Sequence, residues 1–250
     1  MKNQSRTRLF VPQAGEERLI LDDPEILEVA RVLRLRPEDE IALFADDSFE
    51  YTYTVRASNR KQLEIRCKGK EPNRANPQLS CILVQAFGKA GKNADIVKQA
   101  TALGVTQISF YRAERSIGRI ASDKADRLMK TAIESCRQCG RSRVPEVIVE
   151  DQGLGCVLDR VADKHPGVAL IALSPESDRN LNAMSRNQFA SGAVLVVGPE
   201  GGFSREEEAV LRSKDACFVN LGPRVLRMEL ASVVALSLLN ADFGVRNAES

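Results

Sequence analysis

The sequence predicts an α/β protein in which a small β-rich unit precedes a larger unit built on a parallel sheet. Residues 1–70 place short apolar strands between turns, whereas strands alternate with amphipathic helices after residue 79. Three apolar stretches in the last third each end in a small residue and a proline, and these turns begin 24 residues apart. A chain of 250 residues is long enough for both units.

The first 70 residues predict a small barrel or sandwich. Strands are expected at residues 9–12, 41–45, 49–56 and 62–67. A helix is expected over 24–35, after the start signal Asp22-Asp23. Two prolines and two asparagines crowd residues 71–77, which is typical of a loop. We therefore expect a first domain over 1–71, a linker over 72–78 and a second domain over 79–250.

The second unit begins with a regular alternation of elements. Strands are expected at residues 79–87 and 107–111, and helices at 93–103 and 122–139. In the longer helix apolar residues recur at i, i+3, i+4 and i+7, and Gly140 follows its end. This alternation predicts a mostly parallel sheet with helices on both faces.

Three strands in the last third predict a ligand site. They are expected at residues 168–173, 194–197 and 217–221, and their turns begin at Ser174, Gly198 and Gly222. Because one strand–helix unit separates each turn from the next, parallel strands would present all three at one edge of the sheet. Ligands of open α/β sheets bind at that edge. The alternative is an ordinary succession of strand–helix units without a ligand.

Composition excludes several classes of protein. An apolar share of 43% with 28% charged residues is unlike a disordered chain, and no apolar run reaches the roughly 18 residues of a membrane span. Six cysteines are too few for a disulfide scaffold, so we expect the reducing cytoplasm. The net charge of +2 conceals +7 over residues 89–143, and arginine outnumbers lysine 25 to 11. This pattern indicates a polyanion partner, unless it is only a solvated basic face.

A glycine-rich loop follows the second of the three strands. Its sequence, Gly198-Pro-Glu-Gly-Gly-Phe-Ser204, allows a ligand to approach the backbone, and Ser204 with Glu207 predicts a capping box. The loop lacks the lysine of a phosphate-binding loop, and Glu200 would repel a phosphate. It therefore favours hydroxyl, amine or cationic groups.

Charged residues also stand between the third strand and the apolar helix expected over 231–243. Arg224, Arg227 and Glu229 are costly there unless they are paired or functional. The alternative to a functional role is an Arg227–Glu229 salt bridge that caps the helix.

Two further patterns are interpreted as structural. Cys136 and Cys139 lie one helical turn apart without a second pair or a nearby histidine, so we expect core thiols and no metal. The single histidine, His165, precedes a proline in an expected loop, which gives no support to a Ser-His-Asp hydrolase. A cluster of arginines without interleaved aromatic residues indicates phosphate contacts rather than base stacking. Its members are Arg112, Arg115, Arg119, Arg137, Arg141 and Arg143.

Together these motifs resemble a known family. The chain is similar to the bacterial 16S ribosomal RNA uracil-N3 methyltransferases of the SPOUT superfamily, which use S-adenosylmethionine. The matching stretches are 8–10, 31–34, 98–105, 114–116, 138–145, 197–204 and 221–231. The resemblance implies a PUA-like β-barrel that binds RNA, followed by an α/β domain with a trefoil knot. It also implies a homodimer with its site at the subunit interface, and neither DNA nor a membrane as partner.

The resemblance assigns roles to individual residues. Arg227 would stabilise the uracil anion and Glu229 would orient Arg227 or accept the proton. The residues expected to bind the methyl donor are Leu173, Val197, Gly198, Pro199, Glu200, Gly201, Gly202, Leu221, Gly222, Val225 and Leu226. The residues expected to bind RNA are Arg6, Arg8, Arg31, Arg34, Arg112, Arg115, Arg141 and Arg143.

The sequence departs from the family pattern around the expected catalytic residues. Met228 and Leu230 replace the threonines that usually flank the glutamate, and no histidine precedes Val225. Ala102 and Arg137 stand where the family often has acidic residues. Two alternatives therefore stay open: a SPOUT enzyme acting on another base or a ribose 2′-hydroxyl, and an RNA-binding assembly module without catalytic activity.

Overall fold

The structure, a computed structural model, describes residues 7–89, 91–115, 124–184, 186–189 and 191–244. The chain divides into two compact units. The first contains Met1–Asn76 and Cys136–Val144, and the second contains Pro77–Ser135 and Pro145–Ser250.

The first unit is built on a five-stranded sheet. Its strands are β1 (Arg8–Phe10), β2 (Arg18–Leu21), β3 (Glu40–Phe44), β4 (Phe49–Ser58) and β5 (Leu63–Pro72). They lie in the order β1-β3-β4-β5-β2, with β1 parallel to β3 and the other pairs antiparallel. Two register shifts bend the β4–β5 pair. The expected β-rich unit is confirmed; β2 was not expected, because four residues show too little periodicity.

The helix α1 (Pro24–Val32) begins where the sequence predicts. The Asp23 carboxylate accepts hydrogen bonds from the backbone N–H groups of Glu25 and Ile26, which satisfies the first turn. The helix ends three residues before the predicted end. Arg34 follows with φ of +54°, a left-handed conformation that cannot continue a helix.

The segment expected as a linker, residues 72–78, is tethered to the first unit. Pro72 still belongs to β5, and the side chain of Asn76 is buried. Its Oδ1 accepts hydrogen bonds from the backbone N–H groups of Ser142 and Arg143, at 2.9 and 2.8 Å. These bonds attach Cys136–Val144 to the first unit, although the sequence placed that loop in the second domain.

The second unit is a six-stranded sheet in which every strand is parallel. Its strands are β6 (Cys81–Ala86), β7 (Gln107–Tyr111), β8 (Glu146–Val149), β9 (Ala169–Leu173), β10 (Ala193–Val197) and β11 (Cys217–Val219). Its helices are α2 (Lys92–Ala102), α3 (Lys124–Cys139), α4 (Leu154–Lys164), α5 (Arg205–Ser213) and α6 (Met228–Gly244). The last four residues of α3 are counted with the first unit. Two short 3-10 turns, Leu181–Ala183 and Arg186–Phe189, precede β10.

The order of the parallel strands is β11-β9-β10-β6-β7-β8. The chain therefore extends the sheet in one direction from β6 to β8 and then returns to the other side for β9 to β11. All residues of the central strands β6 and β10 are buried. The expected α/β fold is confirmed. None of the described helices is long and apolar enough to cross a membrane.

Candidate functional site

A cleft of about 600 Å³ lies at the carboxyl ends of β9, β10 and β11. The segments that follow these strands line it, beginning at Ser174, Gly198 and Asn220. The turns with the 24-residue spacing thus share one edge of the sheet, which confirms that prediction. A volume of this size suits a small-molecule ligand.

Every residue expected to bind the methyl donor lines this cleft. The lining includes Leu173, Val197, Gly198, Pro199, Glu200, Gly201, Gly202, Leu221, Gly222, Val225 and Leu226. It also includes charged residues that the sequence did not assign to the cleft. These are Arg115, Glu176, Arg205, Glu208 and Arg224.

Two glycines form an open cradle in the cleft. Gly202 has φ of +72° and Gly222 has φ of +104°, and a Cβ added at either position would meet no atom within 4 Å. A ligand can therefore approach the backbone closely at both turns. At Gly198 the reason for glycine differs, because a Cβ there would lie 3.2 Å from the ring of Phe203.

The capping box at the start of α5 is confirmed, and it has a second function in the fold. The Ser204 hydroxyl accepts a hydrogen bond from the Glu207 backbone N–H, and Glu207 Oε2 accepts one from the Ser204 N–H. The other carboxylate oxygen of Glu207 accepts a bond from the Glu114 N–H at 3.3 Å. Glu207, which is buried, therefore joins the loop after β7 to the glycine-rich loop.

Arg115 stands next to Glu114 and contacts the glycine-rich loop directly. Its Nη1 donates a hydrogen bond to the Gly201 carbonyl oxygen at 2.9 Å, and its side chain lines the cleft. The sequence placed Arg115 among the RNA contacts. The structure instead places it where it supports the loop expected to hold the methyl donor.

Lys92, which no motif in the sequence indicates, joins two parts of the site. Its Nζ lies 2.7 Å from Glu200 Oε1 and 3.3 Å from Glu229 Oε2. The hydrogen bond to Lys92 lowers the pKa of Glu200, and the bond to Glu200 raises the pKa of Lys92. No short-range pattern could identify this residue, because its partner Glu200 is 108 positions away in the sequence.

The expected catalytic residues lie at the start of α6. This helix begins at Met228, three residues before the predicted start, so Glu229 falls in its first turn. Arg227 is exposed, whereas the Glu229 side chain is 22% exposed. Of the described residues in this segment, Leu226 and Met228 line the cleft, whereas Arg227 and Glu229 do not. Among the residues that the structure describes, Glu229 pairs with Lys92 and not with Arg227, so the alternative salt bridge is not formed.

Met228, at a position where the resemblance leads us to expect a threonine, forms part of the cleft wall. It is 3% exposed, and a Cβ at Gly88 would lie 2.1 Å from its Cε. Gly88 is held by Asn93, whose side-chain amide bonds to its backbone N–H and carbonyl. Glycine at position 88 therefore provides the space that the methionine occupies.

Five of the arginines expected to bind RNA are exposed, and Arg115, described above, is one of them. In the first unit, Arg31 pairs with Glu28, Arg34 is exposed, and Arg143 donates to the Ser48 hydroxyl. In the second unit, Arg112 lies 3.4 Å from Asp151. These side chains are accessible to a polyanion. Arg6 and Arg119, as well as the first two residues of the helix expected over 122–139, lie outside the described residues.

Arg8 and Arg141 correct our expectation, because both are occupied within the first unit. The Arg8 side chain is 12% exposed, and it donates to Glu50 at 2.8 Å and to the Cys136 carbonyl at 2.7 Å. Its Nη2 also reaches the Arg141 carbonyl. Arg141 is 2% exposed, and burial lowers its pKa. Arg137 is used similarly, since its Nε donates to the Arg8 carbonyl. We assign these side chains to folding.

The cysteines and the histidine have structural environments. Cys136 is buried, which raises the pKa of its thiol to about 12, so it is a poor nucleophile at neutral pH. Cys139 is exposed. His165 ends α4 and hydrogen-bonds to Gln107. Within the described part of the chain, no three His, Cys, Asp or Glu side chains are grouped to hold a metal ion.

Comparison with known proteins identifies the family. A model of the RNA methyltransferase domain matches residues 74–240, and a model of the RNA methyltransferase PUA domain matches residues 29–67. The ribosomal RNA small subunit methyltransferase E of Aquifex aeolicus is 30% identical, and the match covers 88% of this chain and 93% of that protein. The protein of the same name from Bacillus subtilis is 27% identical, with coverage of 86% and 87%.

A solved structure agrees with these matches. The ribosomal RNA small subunit methyltransferase E from Neisseria gonorrhoeae, bound to S-adenosyl methionine, has a TM-score of 0.84 at 26% identity. The superposition covers 94% of this chain and 97% of that chain. These findings confirm the resemblance that the motifs indicate. The chain belongs to the RNA methyltransferase family that contains the ribosomal RNA small subunit methyltransferases E.

Proposed function

We propose that this protein transfers a methyl group from S-adenosylmethionine to N3 of a uridine in the 16S ribosomal RNA of the small subunit. The observation that carries the proposal is the cleft at the ends of β9, β10 and β11, which contains every residue expected to bind the methyl donor. The relatives named for small subunit ribosomal RNA support the substrate.

The lining of the cleft fits S-adenosylmethionine. Leu173, Val225 and Leu226 provide apolar surface for an adenine ring, and the open turns at Gly202 and Gly222 allow backbone contact. Carboxylates in the lining suit ribose hydroxyls and a positive charge, since they accept hydrogen bonds and attract cations. When bound, the methyl donor supplies an electrophilic methyl group on a positively charged sulfur.

The residues at the start of α6 manage the charge on the uracil. N3 of a uridine carries a proton, which must leave as the N3–carbon bond forms. Glu229 accepts this proton, and it passes the proton to solvent after the reaction. Arg227 stabilises the negative charge that develops on the uracil oxygens. Precise placement of the methyl donor against N3 supplies the remaining acceleration.

The first unit and the exposed arginines hold the RNA. N3 lies on the Watson–Crick edge of uracil, so the target base must be unpaired or turned out of its helix. Arg31, Arg34, Arg112 and Arg143 contact phosphates, because their guanidinium groups are exposed. The match of residues 29–67 to a PUA domain of RNA methyltransferases supports this division of roles.

The proposal includes the architecture that the resemblance implies. The domains extend over 1–71 and 79–250 with a linker at 72–78, except that Cys136–Val144 belongs to the first. The second domain contains a trefoil knot, and the protein acts as a cytoplasmic homodimer. Pairing of Asn180 with Asn220 supports the knot, because the segment after β9 lies beside the turn after β11.

Methyl transfer with a panel of RNA substrates tests the proposal. The protein is incubated with radiolabelled S-adenosylmethionine and, separately, with small subunits, large subunits and transfer RNA that lack the modification. We expect label only in 16S ribosomal RNA, and loss of at least about 100-fold in rate for Glu229→Gln. Label in another RNA would contradict the substrate, and methyl-donor binding without transfer would favour a silent RNA-binding module.

A further inference from the structure

Lys92 connects the methyl-donor loop to the proposed proton acceptor. It is the first residue of α2, and its Nζ contacts Glu200 after β10 and Glu229 in the first turn of α6. One oxygen of each carboxylate lies within 3.3 Å of the Lys92 Nζ, so the two carboxylates are close neighbours. The ammonium group is thus an electrostatic bridge between elements of three different chain segments.

Two adjacent carboxylates repel each other unless a cation stands between them. Mutual repulsion raises the pKa of one member of such a pair, as in carboxylate dyads. Lys92 counteracts this repulsion, in agreement with the lowered pKa of Glu200. Lys89, in the loop before α2, also lowers that pKa but less strongly. Glu229 must be ionised to accept a proton, so its charge state controls the reaction.

We propose that Lys92 is a positioning residue that keeps Glu229 ionised and oriented towards the methyl acceptor. The inference rests on the proposed function, because Glu229 is the proton acceptor there. The proton moves from N3 to the Glu229 carboxylate, and Lys92 keeps its own protons throughout. Lys92 makes no bond to the substrate in this scheme; it acts through the two carboxylates.

Removal of the ammonium group should impair catalysis without weakening methyl-donor binding. In Lys92→Met no cation stands between Glu229 and Glu200, so the two carboxylates repel each other and Glu229 loses the contact that holds it in place. Glu200, released from Lys92, becomes available to the positive charge of S-adenosylmethionine. We therefore expect kcat to fall while the Kd of S-adenosylmethionine stays the same or decreases. A merely structural role for Lys92 would weaken both.

The pH dependence of kcat distinguishes these roles. For Lys92→Met we expect the acidic limb of the profile to move to higher pH, with a loss of about tenfold in kcat per pH unit of displacement at pH values well below the limb. Lys92→Arg keeps the charge and should restore the position of the limb. Lys214→Met is the matched control, since Lys214 is exposed to a similar degree, 27% against 28%, and pairs with Asp159. It should leave the profile unchanged.

A second measurement does not depend on activity. In protein labelled with ¹³C at glutamate carboxyl groups, NMR follows the carboxyl signal of Glu229 at neutral pH, with Glu229→Gln to assign it. This signal should shift in Lys92→Met, because the neighbouring ammonium group is lost, and return to its wild-type position in Lys92→Arg. An unchanged signal in the folded variant would overturn the inference. Failure of the proposed function would be seen separately: the wild-type protein would then transfer no methyl group to N3.

Discussion

Gly202 and Gly167 allow the methyl-donor site to be tested with a matched pair of substitutions. Gly202 has φ of +72° and Gly167 has φ of +75°, and a Cβ at either position would meet no atom within 4 Å. Both residues are exposed. They differ in place, because Gly202 lines the cleft whereas Gly167 lies in the turn between α4 and β9. Alanine at either site therefore introduces the same backbone strain, but only Gly202→Ala adds a methyl group to the cleft.

The expected magnitudes follow from this comparison. A left-handed conformation costs an ordinary residue about 1–2 kcal/mol. The lower entropy of the unfolded chain offsets about 0.4–1 kcal/mol of that cost. Each variant should thus lose about 1 kcal/mol of unfolding free energy, or about 2–4 °C in melting temperature. Only Gly202→Ala should also weaken S-adenosylmethionine binding, by tenfold or more, which corresponds to about 1.4 kcal/mol.

Calorimetric titration and thermal denaturation of the two variants separate strain from ligand contact. Equal losses of stability with loss of binding in Gly202→Ala alone would agree with the proposed cradle. If Gly202→Ala binds S-adenosylmethionine as tightly as Gly167→Ala does, the ligand does not approach this turn. The assignment of the glycine-rich loop would then be refuted.

Three other predictions concern the arginines and tyrosines. Arg8→Met should destabilise the first unit by about 2–3 kcal/mol in denaturant unfolding, because its charged hydrogen bonds to backbone carbonyls are lost. Arg31→Ala should leave stability unchanged and lower the salt slope of RNA affinity by about one. If Arg8→Met instead lowered the salt slope and left stability unchanged, Arg8 would be an RNA contact. Arg115→Met should weaken S-adenosylmethionine binding about threefold to tenfold in calorimetry, since one charged bond to the loop is removed; unchanged affinity would show that the bond does not order the loop. The Asp47 hydrogen bond raises the pKa of Tyr51 to about 12, and burial raises the pKa of Tyr53 and Tyr111. Absorbance at 295 nm should therefore show little tyrosinate at pH 10, and the free energy of unfolding should fall as the pH rises above 10, because folding favours the protonated phenols. A transition at pH 10 in the folded protein would contradict these environments.

Local patterns predicted much of the fold and the position of the cleft. The 24-residue spacing identified the shared edge of β9, β10 and β11, although two short 3-10 turns, rather than the expected helix, connect β9 to β10. The capping box at Ser204 and Glu207 was predictable because it involves residues three positions apart. β8 was missed, since four residues give too little periodicity. α4 was missed although Leu154, Val157, Leu158 and Val161 show a helical pattern that could have predicted it.

Contacts between distant residues could not be predicted from local patterns. Lys92 meets Glu200 across 108 positions, and nothing near either residue in the sequence indicates the pair. Arg141 has the charge of a typical surface residue, yet the fold buries it. Its burial depends on Arg8 and Asn76, which bind the loop that carries it. In both cases the role of a charged side chain depends on contacts with residues that are distant in the sequence, and these contacts cannot be inferred from composition.

The position of the transferred methyl group tests the central proposal most directly. Small subunits lacking the modification are treated with the protein and S-adenosylmethionine, and the 16S ribosomal RNA is digested to nucleosides for tandem mass spectrometry. We predict a single new product whose added mass stays with the uracil base and which comigrates with N3-methyluridine. A methyl group on ribose, or on any base other than uracil, would contradict the proposed reaction.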